Sequence, residues 1–135
     1  MDLMGAIKVA ASGMQAQSAR LRVTSENLAN ASSTADVPGG EPYRRKTISF
    51  ANELDRQLGV DLVKVDRYGK EPGSFEVRYE PNHPAADADG NVLYPNVNPL
   101  IELMDMREAQ RTFEANLNTM QAARTMVRQL LDLLQ

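Results

Sequence analysis

Two narrow apolar stripes, one at each end of the chain, constrain this sequence more than anything else in it. Walking from Leu3 by alternating steps of four and three meets Leu3, Ile7, Ala10, Met14, Gln17, Leu21, Thr24 and Leu28. Six of these eight are apolar, and Lys8, Gln15, Arg20, Arg22 and Glu26 fall between them. A helix with a single apolar seam has this spacing. From Leu103, steps of three and four meet Leu103, Met106, Gln110, Phe113, Leu117, Met120, Arg124, Val127, Leu131 and Leu134. Eight of these ten are apolar, and Glu102, Asp105, Arg107, Glu108, Arg111, Glu114 and Arg128 flank them. The first helix would run about 42 Å and the second about 50 Å at the usual rise per residue.

The ends of the stripes carry start and stop signals. Asn98-Pro99 opens the second helix, with Asn as cap and Pro in the first turn. Asn27-Leu28-Ala29-Asn30 closes the first, since Asn tolerates the end of a helix. Gly5 and Gly13 each weaken the first helix by about 1 kcal/mol relative to Ala. A glycine is retained inside a helix where another backbone comes close.

Between the stripes the chain changes character. Residues 31–98 contain every proline except Pro99 and most of the glycines. Ser74-Phe75-Glu76-Val77-Arg78-Tyr79 alternates and predicts a strand with Phe75, Val77 and Tyr79 on one face. Thr47–Phe50 and Val63–Val65 are shorter strand candidates. Asn52–Leu58, stopped by Gly59, reads as a short helix, and 31–42 and 80–99 read as loops. The expected fold is therefore mainly α with a small β region. Long N- and C-terminal helices pair as a coiled coil around a short, irregular, β-containing middle. The expected segments are 1–30, 31–98 and 99–135.

The seams need cover. Two helices of one chain can cover each other, or the helices of other subunits can cover them, and periodicity allows both. The middle is too small to bury two such helices, which favours cover by other subunits. The expected subunit interface is Leu3, Ile7, Ala10, Met14, Leu21 and Leu28 on the first helix. On the second it is Leu103, Met106, Phe113, Leu117, Met120, Val127, Leu131 and Leu134.

Composition removes several classes of function. Aromatic residues are only 5% of the chain and Trp is absent, so a large compact core is not indicated. The seven methionines suit seams that adapt to more than one neighbour. A formal charge of -3 without a block of one sign offers no nucleic-acid groove. The absence of Cys excludes disulfides and thiolate chemistry. No apolar run reaches membrane-spanning length. The Leu3-Met4-Gly5-Ala6-Ile7-Lys8 start, after Asp2, lacks the basic start and continuous apolar core of a secretory signal.

No catalytic constellation emerges. His83, within Tyr79-Glu80-Pro81-Asn82-His83-Pro84, lacks a nucleophile to serve. Asp87-Ala88-Asp89-Gly90-Asn91 begins like a calcium loop, but its twelfth position is Asn98 rather than Glu. It is better read as a tight turn. Arg44-Arg45-Lys46 is too short a cluster for phosphate-backbone binding and reads as a solvated strand edge. We therefore expect a protein that is not an enzyme, has no cofactor or metal, and takes neither nucleic acid nor a small-molecule substrate.

Several segments resemble the axial proteins of the bacterial flagellum. Ser12-Gly13-Met14-Gln15-Ala16-Gln17 with Asn27-Leu28-Ala29-Asn30-Ala31 is similar to the N-terminal rod and hook signature. Arg111-Thr112-Phe113-Glu114-Ala115-Asn116 resembles the family's aromatic-x-Ala-Asn helix. The central blocks narrow the match to the FlgC-type branch of that family. They are Pro42-Tyr43-Arg44-Arg45-Lys46, Tyr79 to Gly90, and Tyr94-Pro95-Asn96-Val97-Asn98. The resemblance implies a subunit of the proximal rod, the shaft between the membrane ring and the distal rod and hook. It implies export through the flagellar type III apparatus without a cleaved signal, and a place in the basal body within the periplasm. The implied partners are further copies, other rod subunits, and membrane-ring and rod-base proteins. It also implies end helices that order on assembly, since an uncovered seam does not offset conformational entropy. A cytoplasmic coiled-coil adaptor or chaperone is the competing reading, and hydrogen exchange on the monomer separates the two. Mobile termini belong to a rod subunit and protected termini to an adaptor.

Overall fold

The computed structural model describes residues 2–134; Met1 and Gln135, the outermost residues of the expected end segments, lie outside it. Helix α1 spans Leu3–Ala29 and helix α2 spans Pro99–Asp132. Strands β1 (Lys46–Asp55) and β2 (Val60–Lys70) form one two-stranded sheet. Strands β3 (Glu76–Tyr79) and β4 (Asn91–Tyr94) form a second, antiparallel, with Glu76 opposite Tyr94 and Tyr79 opposite Asn91. Two long helices flanking small sheets is the architecture that the stripes predict.

The helix boundaries follow the local signals. Asn98 Oδ1 accepts the Leu100 N–H at 3.0 Å, capping α2 ahead of Pro99. At the other boundary Asn30 Nδ2 donates to the Glu26 carbonyl at 2.8 Å, and the Ser33 N–H donates to the Asn30 carbonyl, turning the chain out of α1.

The middle departs from expectation in two places. Asn52–Leu58 is not a helix: residues up to Asp55 continue β1, and the remainder is a turn. Asp55 Oδ1 accepts the N–H groups of Gln57 and Leu58, and Gly59 has φ +64°, which closes the turn tightly. Pairing with β2 in a two-stranded sheet outweighs a weak local helix preference. Residues 91–94 are also not loop but β4, with Val92 fully buried. The strand expected over 74–79 is shorter, since β3 is Glu76–Tyr79 and Phe75 lies just before it, and all four of its residues are exposed. Val77 and Tyr79 are among them, so this chain does not cover that face.

The chain groups into two compact units. One comprises residues up to Leu21, Ile48–Arg67 and those from Arg107 onward. The other comprises Arg22–Thr47 and Tyr68–Met106. In the first, the buried side chains are small: Ala10, Ser12, Ala16, Ala109 and Ala123. In the second, they include Val23, Val92 and Ala85 together with Thr24, Asn27 and Glu102.

Candidate assembly surfaces and their polar anchors

In the first unit the covered faces of both helices are lined by residues with little or no side chain. Gly5, Ala10, Ser12 and Ala16 supply the buried positions of α1, and Ala109 and Ala123 those of α2. A Cβ on Gly13 would lie 2.8 Å from Asn116 Nδ2, so the glycine makes room for the Asn116 amide. Asn116 Nδ2 also donates to the Thr112 carbonyl at 3.0 Å, holding the amide in place. Ser12 Oγ donates to the Val9 carbonyl at 2.8 Å and accepts the Val63 N–H at 3.1 Å, tying α1 to β2. Lys8 Nζ reaches Asp55 Oδ2 at 2.8 Å. That bond, helped by the Gln57 and Leu58 N–H groups, holds the Asp55 carboxyl below its ordinary range.

The second unit is organised around Asn27. Its Oδ1 accepts the Tyr43 hydroxyl and the Lys46 N–H, both at 2.8 Å. Its Nδ2 donates to the Lys46 carbonyl at 2.9 Å and to Glu102 Oε2 at 3.1 Å. All four hydrogen-bonding positions of the amide are thereby used. Glu102 is fully buried, and its other oxygen receives Arg45 Nε. The Arg45 guanidinium also lies 3.8 Å from both Glu71 and Asp105. The Arg45 N–H donates to Asn96 Oδ1, and Asn96 Nδ2 donates to the Glu71 and Gly73 carbonyls. Burial, with the nearby Glu26 and Glu102 charges, raises the Tyr43 hydroxyl above its ordinary value, so it remains a donor.

This corrects the reading of Arg44-Arg45-Lys46 as a solvated edge. Arg44 donates to the Glu71 and Gly73 carbonyls and lies 4.2 Å from the Phe75 ring centre. Lys46 pairs with Glu26, and Arg45 neutralises Glu102. The cluster anchors the fold. Sequence reasoning put Glu102 on the polar flank of the second stripe, because its partner Arg45 is 57 positions away.

The stripe residues divide into two groups. Ala10 is buried, and Leu3, Ile7, Met14, Leu21 and Leu28 are half-buried. Met106, Phe113, Leu117, Met120 and Val127 are also half-buried. Leu103, Leu131 and Leu134 are exposed, as are Met126, Leu130 and Leu133. On α2 the most covered line runs Glu102, Met106, Ala109, Phe113, Asn116, Met120, Ala123 and Val127. Four of the ten expected positions, 103, 110, 117 and 124, each follow a covered one, 102, 109, 116 and 123, and Leu117 is itself half-buried. Small side chains let a neighbouring element come close, and the larger ones flank that contact.

The loop around His83 is held by its own backbone. His83 Nδ1 accepts the Ala85 N–H at 3.0 Å, and Asp87 Oδ1 accepts the Asp89 and Asn91 N–H groups. Gly90 turns the chain with φ +80°. Among the described residues, no group of three or more His, Cys, Asp or Glu side chains is placed to hold a metal ion.

The sequence segments that converge at Gly13–Asn116 and at Asn27–Arg45–Glu102 are shared with known proteins. Residues 7–35 match the family "Flagella basal body rod protein", and residues 88–133 match "Flagellar basal body rod FlgEFG protein C-terminal". The flagellar basal-body rod protein FlgC of Agrobacterium fabrum is 52% identical over 98% of this chain and 96% of its own. The FlgC proteins of Bacillus subtilis and Salmonella typhimurium are each 35% identical over 98% of this chain, and over 99% and 98% of their own lengths. This similarity favours the rod subunit over the cytoplasmic adaptor as the reason for the two stripes. The chain belongs to the FlgC family and is a structural subunit of the bacterial flagellar basal-body rod, where it assembles with other rod and basal-body proteins.

Proposed function

We propose that this subunit builds the proximal rod by packing the outward apolar side chains of its end helices against neighbouring subunits, so that the packed shaft transmits torque from motor to hook. Residues 1–30 and 99–135 act as the axial segments, and 31–98 shapes and spaces them. The observation that carries this reading is the far end of α2. Leu133 is 82% exposed and Leu134 84% exposed, with Met126, Leu130 and Leu131 also open to solvent. Several large apolar side chains left uncovered on one helix end mark an interaction surface. Such a surface fits a subunit that completes its core in the assembly.

The proposal refines the interface. Leu103, Leu131 and Leu134 face other subunits in full. Met106, Phe113, Leu117, Met120 and Val127 serve both the subunit's own packing and the assembly, as do Leu3, Ile7, Met14, Leu21 and Leu28, whereas Ala10, expected at the interface, is buried inside the subunit. Leu131→Asp with Leu134→Asp abolishes swimming while the purified monomer melts at the native temperature. Normal motility in that variant would refute the reading. No catalytic role is assigned.

The same reading places the rod in the periplasm, next to membrane-ring and rod-base proteins, after export by the flagellar type III apparatus without cleavage. Its support is that Lys8, Ser12 and Gly13 bond to or pack against distant parts of the fold. Loss of the first 15 residues would remove them. Mass spectrometry of secreted subunit should find residues 2–15 intact, and their absence would contradict uncleaved export.

A further inference from the structure

The second unit carries a basic recess that none of the described residues fills. It encloses about 560 Å³ and is lined by Arg22, Val23, Glu26, Lys46, Tyr68, Gly69 and Lys70. Three cations face a single carboxylate, and that carboxylate, Glu26, is already paired with Lys46. Arg22 donates to the Tyr68 hydroxyl at 3.1 Å and lies 5.8 Å from its ring centre, so it is held in place with no acidic partner among the described residues. Lys70 is exposed, and its ammonium group has no ion pair among the described residues. Val23, buried, and Gly69, packed on Thr47, line the recess with little side chain.

The same unit carries a region of opposite sign. Segments 31–42 and 80–91 contain Asp36, Glu41, Glu80, Asp87 and Asp89 and no Lys or Arg. They are joined by the Gly39 N–H to the Ala85 carbonyl at 3.2 Å, and Gly39 sits against the Asp87 side chain. Asp87 spends its carboxylate on its own loop. Asp36, Glu41 and Asp89 are exposed, and none of them forms an ion pair among the described residues.

We propose that the recess at Arg22 and Lys70 receives the acidic region at Asp36 and Asp89 of a second copy of this chain. One recess and one complementary region on each copy make a head-to-tail contact. A head-to-tail contact of this kind propagates from copy to copy. Opposite charge beside the last turns of α1 sets register and rejects wrong neighbours. This contact rests on the rod-subunit reading and adds an electrostatic contact to the apolar packing of the helices.

The test is a charge swap in the full chain in a motile strain. Arg22→Glu with Lys70→Glu, and separately Asp36→Lys with Asp89→Lys, should each impair swimming. All four substitutions together should restore it. None of the four side chains supports the fold beyond the Arg22–Tyr68 bond, and thermal melts of the purified variants confirm that. Because the chain has no Cys, Lys70→Cys with Asp89→Cys provides a second measurement. A short bis-maleimide should link copies of that variant in isolated basal bodies. A swap that fails to restore motility, or basal bodies without linked copies, overturns the contact. Impairment from the recess pair alone would mean a different acidic occupant, and also overturns it. The rod reading is judged separately by Leu131→Asp with Leu134→Asp.

Discussion

The two units of this subunit use different chemistry to hold the same two helices. In the unit containing Gly13 and Asn116, contact is made by Gly, Ala and Ser, and the large apolar side chains of α2 stay outside. Little apolar area leaves water there, so little hydrophobic stabilisation is gained per residue. In the unit containing Asn27, a saturated amide and a buried Arg45–Glu102 pair fix α1, β1 and α2 in one geometry. Polar burial of this kind adds less stability than apolar packing would, and it tolerates few alternative arrangements. The difference lies in what is buried. One unit buries small side chains, the other a polar network, and both leave large apolar side chains exposed.

The largest expected effect breaks the polar anchor. Arg45→Ala leaves Glu102 buried and charged, at a cost of about 3–5 kcal/mol. Urea denaturation should show it, and a loss below about 1 kcal/mol would mean that the second unit does not depend on the pair. Arg45→Met with Glu102→Leu should recover much of that loss, because both charges then leave together.

Overfilling the small-residue contact comes next. Ala109→Leu places a large side chain at a fully buried position and should cost about 1–3 kcal/mol. Leu131→Asp, by contrast, should change monomer stability by less than about 0.5 kcal/mol, because Leu131 is exposed. Equal losses in the two variants would erase the distinction between inner and outer faces of α2.

A smaller change sharpens the close approach at Gly13. Gly13→Ala gains about 1 kcal/mol in helix propensity but pushes against the Asn116 amide. Net change should stay within about 1 kcal/mol. Adding Asn116→Ala should make Gly13→Ala more favourable than it is alone. Simple additivity of the two in thermal melts would show that they do not touch.

The smallest effect is electrostatic. The Lys8 bond and the turn N–H groups lower the Asp55 carboxyl from its usual 3.8. A depressed acid contributes stability above its unfolded value and loses it as pH falls through the folded one. The contribution therefore fades only in acid, below about pH 4. The Lys8 end of the pair is open to solvent, so the effect on melting is slight. Carboxyl NMR titration should find Asp55 raised in Lys8→Met, yet still below the ordinary value because the Gln57 and Leu58 N–H groups remain. An unchanged titration would remove Lys8 as the main cause.

The sequence alone determined both helices, their caps at Asn98 and Asn30, and the family, because these rest on signals that lie close together along the chain. Four of the covered positions on α2, Met106, Phe113, Met120 and Val127, were legible for the same reason. The other four were not. Periodicity weighs large apolar side chains, whereas two elements in close contact meet at their smallest residues, which moved the inner line onto Ala109, Asn116 and Ala123. The turn at Asp55–Gly59 and the strand at 91–94 needed partners to declare themselves, since a strand is stabilised across the sheet and not within itself. Glu102 and Arg45 looked like surface charges until the chain brought them together with Asn27. Only the tertiary structure decides which charges lose their water, because burial depends on residues far away in sequence, and a charge that loses water must find its counter-charge there.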